Sequence, residues 1–153
     1  MTEPVYDEDQ MTKEQRGGVA VVLQHPDGRI LAVARKDDHT KWTLPGGKRD
    51  LGENFLVAAY REFEEEVGLP VYGLDIVWAD VNDWNGKICV TYKASNWANT
   101  YLTSLNTFAT PEGEAPVSWQ PASVLVNGPF GAYNKRLFDY LGISYDETES
   151  VSP

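Results

Sequence analysis

Three glutamates in the segment REFEEE, Glu62, Glu65 and Glu66, stand at spacing i, i+3, i+4. On a helix that spacing puts them on one face. Carboxylates so placed repel, each close pair costing about 0.2–0.5 kcal/mol on an exposed helix. Oxygen donors in that number suit a hard divalent cation such as Mg²⁺. The same run can be read as a solvated acidic face, since charge runs are usually surface. Glu64 falls on another side and is expected in solvent. Arg61, four residues before Glu65, offsets part of the repulsion.

The helix that must carry these groups is predicted over residues 53–67, with Gly68 placed to end it. At 100° per residue, Leu56, Tyr60, Phe63 and Val67 cluster within about 40°, an expected core stripe roughly 130° from the acid face. Residues 17–24 (GGVAVVLQ) read as a buried strand, 25–28 (HPDG) as a turn, and 29–35 (RILAVAR) as the returning arm of a hairpin. A polar loop covers 36–41, and a short strand at 42–44 is stopped by Pro45-Gly46-Gly47. Strands are expected at 71–81 and 87–95 around an Asn85-Gly86 turn, and again near 97–107 and at 117–120. A closing helix is expected over 133–141. One central and one final helix among many strands give an α+β class with a mixed sheet.

The 153 residues suffice for one domain with a real core. The net charge of −10 sits mainly in residues 1–15, 61–66 and 144–153. The expected organisation is a mobile acidic tail over 1–15, the domain over 16–143, and an acidic tail over 144–153. An acidic chain without a basic stripe is a poor partner for nucleic-acid polymers. No apolar run is long enough to span a membrane, and the acidic N-terminus is unlike a secretory signal, so a cytoplasmic location is expected. One cysteine, Cys89, and two histidines, His25 and His39, rule out intrachain disulfides, multi-cysteine zinc sites and three-histidine metal sites.

The segment from Gly47 to Leu69, GKRDLGENFLVAAYREFEEEVGL, resembles the signature of the Nudix hydrolase family: Gly, five residues, Glu, seven residues, Arg-Glu, an aliphatic, any residue, Glu-Glu, any residue, Gly, an aliphatic. Gly47, Glu53, Arg61, Glu62, Glu65, Glu66 and Gly68 fall in place, and Phe63 departs from the usual aliphatic. Seven fixed positions match by chance at about 10⁻⁶ per chain at ordinary residue frequencies, so the match carries weight. The resemblance implies an α/β/α sandwich with a catalytic loop-helix-loop, and a MutT-like, Mg²⁺-dependent pyrophosphohydrolase, with Mn²⁺ able to substitute. It implies Glu65 and Glu66 as main metal ligands, Glu62 as ligand or base, the Gly46 carbonyl as a further ligand, and an Arg61–Glu53 pair that orients helix and loop. A further acid from outside the motif is also implied, for which Glu112 and Glu114 are the candidates ahead of Asp80 and Asp83.

Substrate contacts are expected from Arg35 and Lys48, with Lys41 and Arg49 nearby, through their charge. Asn127, Tyr133 and Asn134, with Phe130, are expected to read or stack on a base. Trp42, Trp78, Trp84 and Trp119 offer further stacking surfaces, with core packing as the alternative for each. The expected partner is a small nucleotide; a monomer and a homodimer are both open. In the family, a proline or a tyrosine beyond the motif marks ADP-ribose or dinucleoside polyphosphate substrates. Asp83, Trp84 and Asn85 occupy that stretch here, which favours a nucleoside triphosphate cut to monophosphate and pyrophosphate. The alternatives are ADP-ribose or another nucleotide sugar, a dinucleoside polyphosphate, and a non-catalytic nucleotide-sensing module.

Overall fold

The segments GVAVV and ILAVA are apolar at every position instead of every second one, and burial on both faces explains it. They form β1 (Gly18–Val22) and β2 (Ile30–Ala34). Val19, Val21, Leu31 and Val33 point into one core, and Ala20, Val22, Ile30 and Ala32 into another. The computed structural model describes residues 17–81, 86–94, 107–109 (backbone only) and 115–146.

The remaining elements are β3 (Trp42–Thr43), β4 (Gly46–Lys48), α1 (Phe55–Val67), β5 (Leu74–Val81), β6 (Ile88–Ala94), β7 (Thr107–Ala109), β8 (Pro116–Gln120), α2 (Ala122–Val126) and α3 (Gly131–Leu141). They build two four-stranded sheets, ordered β4-β1-β6-β5 and β3-β2-β8-β7. The first is mixed, with β1 parallel to β6, and the second is antiparallel. Helix α1 closes one core and α2 with α3 the other, giving an α/β/α sandwich. No helix among the described residues is long and apolar enough to cross a membrane.

Three expectations need correction. The hairpin of β1 and β2 closes only at its turn, where Gln24 bridges Ile30 and the Leu31 N–H donates to the Leu23 carbonyl at 3.0 Å. Beyond that the arms part into different sheets. Second, β3 ends before Pro45 as expected, but Gly46 and Gly47 are more than a stop, because they open a further strand, β4. There Gly46 pairs with Ala20, and a Cβ on it would collide with the Val19 carbonyl. Gly46→Ala should therefore cost about 1–3 kcal/mol through overpacking. A melting temperature within a degree of the parent would refute that crowding.

The third correction is the roll of α1. Its ends follow the sequence: the Asn54 side chain caps the Val57 N–H at 2.8 Å, and Gly68 ends the helix at φ 83°. Its buried residues are Ala58, Ala59, Phe63 and Val67, while Leu56 is 40% exposed. The buried arc is centred about 80° from the expected stripe, toward the acid face. Small Ala58 and Ala59 let the helix lie close against the sheet, and Glu62 and Glu66 turn inward with them.

Candidate active site

The roll of α1 sets the electrostatics of its glutamates. Glu66 faces a cavity of about 500 Å³ that Glu62 and Glu65 also line. Its one hydrogen bond among the described residues is a long one, accepted from the Gly46 N–H at 3.4 Å. Burial, and then the neighbouring charge of Glu62, push its carboxyl up to about 8. Glu62 is also raised, mainly by burial, with Arg61 acting against the rise. Glu65 is half exposed, and Glu64 is also exposed.

Arg61 is the hub of the motif. Its Nε and Nη2 donate to Glu53 at 2.7 and 2.9 Å, a bidentate pair that holds the Glu53 carboxyl below its ordinary range. Nη1 donates to Glu62 at 2.9 Å and to Glu65 at 3.1 Å, and Nη2 also to the Lys48 carbonyl at 3.0 Å. Asp50 lies 3.4 Å from Nε, and its own N–H donates to Glu53. One guanidinium thereby ties α1 to the loop after β4. Gly47 completes the joint: a Cβ there would overlap the Glu62 carboxyl group, with Oε1 at 2.7 Å.

Among the described residues, no three acidic or histidine side chains are gathered as a ready-made cation site. Arg61 binds both Glu62 and Glu65 in the arrangement seen. The donor chemistry nevertheless fits a hard dication, because Glu66 is partly buried and its carboxylate accepts only a long backbone bond among the described residues. Glu65 and Glu66 would hold such an ion, with Glu62 beside them on the cavity. The other wall of the cavity is formed by Arg35, Lys36 and Asp37 from the end of β2 and its loop, with Thr43 of β3. Lys36 is near enough to favour the charged form of Glu66.

The other expected contacts divide. Arg35 lines the cavity. Lys48 is exposed and does not line it, and Arg49 is buried over the Phe55 ring with Nη1 donating to the Glu53 carbonyl. Tyr133 and Asn134 are corrected as base contacts. The Tyr133 hydroxyl bonds Thr91 at 2.7 Å and donates to the Cys89 carbonyl at 3.1 Å, inside the second core. Asn134 is 2% exposed, and its amide donates to the Leu125 carbonyl. Packing and backbone hydrogen bonds occupy both side chains. The exposed Asn127 donates to the Ser123 carbonyl at 2.7 Å, ending α2. Trp119 is core and meets His25 edge-on, while Trp42 and Trp78 are half-buried. Asp80 pairs with Arg136 at 2.7 Å. Glu112, Glu114, Asp83 and Trp84 lie outside the described residues.

Sequence reading passed over Lys36, Asp37 and Thr43 as cavity residues. No local signal could have found them, because only the fold brings the loop leaving β2 to the cavity that Glu62, Glu65 and Glu66 line.

A family model described as NUDIX domain matches residues 14–139. The chain is 30% identical over 155 aligned residues to an RNA pyrophosphohydrolase of Haemophilus ducreyi, covering 87% of this chain and 78% of that one. It is 30% identical over 123 residues to a MutT-like protein of Streptomyces ambofaciens, covering 80% and 75%. Among solved structures, the MutT NUDIX hydrolase from Burkholderia pseudomallei shares the fold with a TM-score of 0.59 at 24% identity, over 82% of this chain and 97% of that one.

Proposed function

This chain belongs to the NUDIX family and is a Nudix hydrolase acting on pyrophosphate bonds, and from that premise we propose that it cleaves a nucleoside triphosphate between the α- and β-phosphates, with Mg²⁺ as cofactor. The observation that carries the reading is the cavity with two unlike walls: three glutamates on one, Arg35 and Lys36 on the other. A substrate rich in oxyanions needs positive charge from both sides. On the glutamate side, Glu65 and Glu66 would hold Mg²⁺, which would supply that charge and lower the pKa of water. On the other side Arg35 and Lys36 receive the phosphates. Glu62, with its carboxylate fixed by Arg61, takes the proton of the attacking water. Glu53 acts through Arg61 by holding the guanidinium in place.

A second reading, a triphosphorylated RNA 5′ end, is favoured by the name of the Haemophilus ducreyi relative. The net charge of −10 weighs against a long polyanion. One panel separates them: nucleoside triphosphates, ADP-ribose, a dinucleoside polyphosphate and a 5′-triphosphorylated oligoribonucleotide, each with Mg²⁺ and with products identified. Pyrophosphate and a monophosphate from the mononucleotides, at higher kcat/KM than from the oligonucleotide, are expected. The reverse order would replace the first reading with the second. Turnover should also vanish in excess chelator and return with Mg²⁺ or Mn²⁺; full activity in chelator would remove the cation from the account.

A further inference from the structure

Asp37 is an oddity on the cationic wall. It lines the same cavity as Arg35 and Lys36, and a carboxylate there repels the phosphates they would receive. We infer that Asp37 is a positioning residue that fixes the Arg35 guanidinium for the substrate's phosphates. This rests on the proposed pyrophosphohydrolase reading.

The geometry gives the reason. Arg35 Nε donates to Asp37 Oδ1 at 3.1 Å, and this is the only hydrogen bond or ion pair of that guanidinium among the described residues. A guanidinium has five N–H donors, so the Nη1 and Nη2 pairs remain to form the fork that suits a phosphate. Holding the Nε edge fixes the plane of that fork, which a long unrestrained side chain would otherwise lose in its rotamers.

The backbone carrying the pair is itself pinned. The Arg35 N–H donates to the Lys41 carbonyl at 2.8 Å, and the Lys41 N–H to the Asp38 carbonyl at 3.1 Å. Asp38 Oδ1 accepts from the Thr40 N–H and hydroxyl at 3.0 and 2.6 Å. The pair is exposed enough that little stability is expected from it, so its value lies in orientation.

The chain supplies its own control. Asp27 and Arg29 repeat the i, i+2 arrangement, with Arg29 Nε on Asp27 Oδ2 at 2.8 Å, in the β1–β2 turn and away from the cavity lining.

The test turns on a sign. If Asp37 only adds negative charge at the cavity, Asp37→Asn should leave KM for the best triphosphate unchanged or lower it. If it positions Arg35, KM should rise about five- to tenfold with kcat within about twofold. Asp37→Glu should recover part of the loss, and Asp27→Asn should change neither parameter. Arg35→Ala should raise KM by at least as much, and adding Asp37→Asn to it should do nothing more. Calorimetric titration with Mg²⁺ and inorganic tripolyphosphate supplies a readout independent of turnover, and affinity should fall by the same factor in Asp37→Asn. An unchanged or lowered KM, a further loss in the double variant, or a wild-type protein that does not bind tripolyphosphate would each overturn the assignment. If tripolyphosphate binds as expected and no triphosphate is hydrolysed, the proposed activity fails while the role of Asp37 stands.

Discussion

Glu66→Gln is expected to lower kcat by about 10²–10⁴-fold while leaving the protein folded and, above neutral pH, more stable than its parent. The two effects share one cause. Glu66 is held inward by the roll of α1, and without a cation its charge is answered only by a long bond from Gly46 and by Lys36 at a distance. Its carboxyl in the folded chain therefore rises to about 8, against an ordinary value of 4.5. Below the ordinary value both folded and unfolded chains carry the proton, and the residue costs nothing. As pH rises from there toward 8, the unfolded chain ionises while the folded one resists, so stability is lost across that window. In chelator, the melting temperature of Glu66→Gln minus that of the parent should be near zero at pH 4.5 and positive at pH 8. Mg²⁺ should raise the parent's melting temperature and leave the variant's nearly unmoved. Glu64→Gln, altering an exposed neighbour, should be silent in both assays. A Glu66→Gln enzyme with parental kcat would take the residue out of the chemistry altogether.

What the sequence made legible was the chemistry-bearing segment and its punctuation. Gly68 marks the end of α1, and the motif spacing places Arg61 where it reaches Glu53. The roll of that helix was legible only in part: Tyr60, Phe63 and Val67 pack on the core as the stripe requires, but an apolar-stripe argument also weights Leu56 and disregards two alanines. Close approach to a sheet favours small side chains, and Ala58 and Ala59 outweighed Leu56 for that reason. The divergence of β1 and β2 was hidden for a related reason. Strands buried on both faces lose the alternation that would say which sheet each joins. Gly46 and Gly47 read as punctuation when taken as residue types, yet they sit in a strand whose neighbours leave no room for a Cβ. Tyr133 and Asn134 misled because residue type describes what a side chain can bond, while the core decided what it does bond. The loop after β2 looked merely polar; only the fold brings Arg35, Lys36 and Asp37 to face the glutamates of α1.

Arg61→Ala should be the most destabilising change in the motif, by about 2–4 kcal/mol once the partial exposure of Arg61 is allowed for. The side chain is the shared counter-charge of Glu53, Glu62 and Glu65, and its Nη2 also ties down the Lys48 carbonyl. Deleting it leaves Glu53, only 11% exposed, without its partner and lets three inward or neighbouring carboxylates repel unrelieved. Arg61→Lys should recover only part, since an ammonium cannot make the bidentate contact with Glu53 and reach Glu62 at the same time. The pH dependence gives a second check with the opposite sign to that of Glu66. Arg61 holds Glu53 below its ordinary value, so the pair stabilises the fold above that value and the benefit disappears as pH falls through the folded one. Urea unfolding of parent and Arg61→Ala at pH 7 and near pH 3 should therefore show a large gap that narrows in acid. Activity should fall along with stability, because the loop bearing Gly46 and Gly47 would no longer be tied to the helix bearing Glu62 and Glu66. A variant that unfolds at the parent's urea concentration at pH 7 would mean that the loop and α1 are held together by packing alone, with Phe55 and Arg49 as the contacts to examine next.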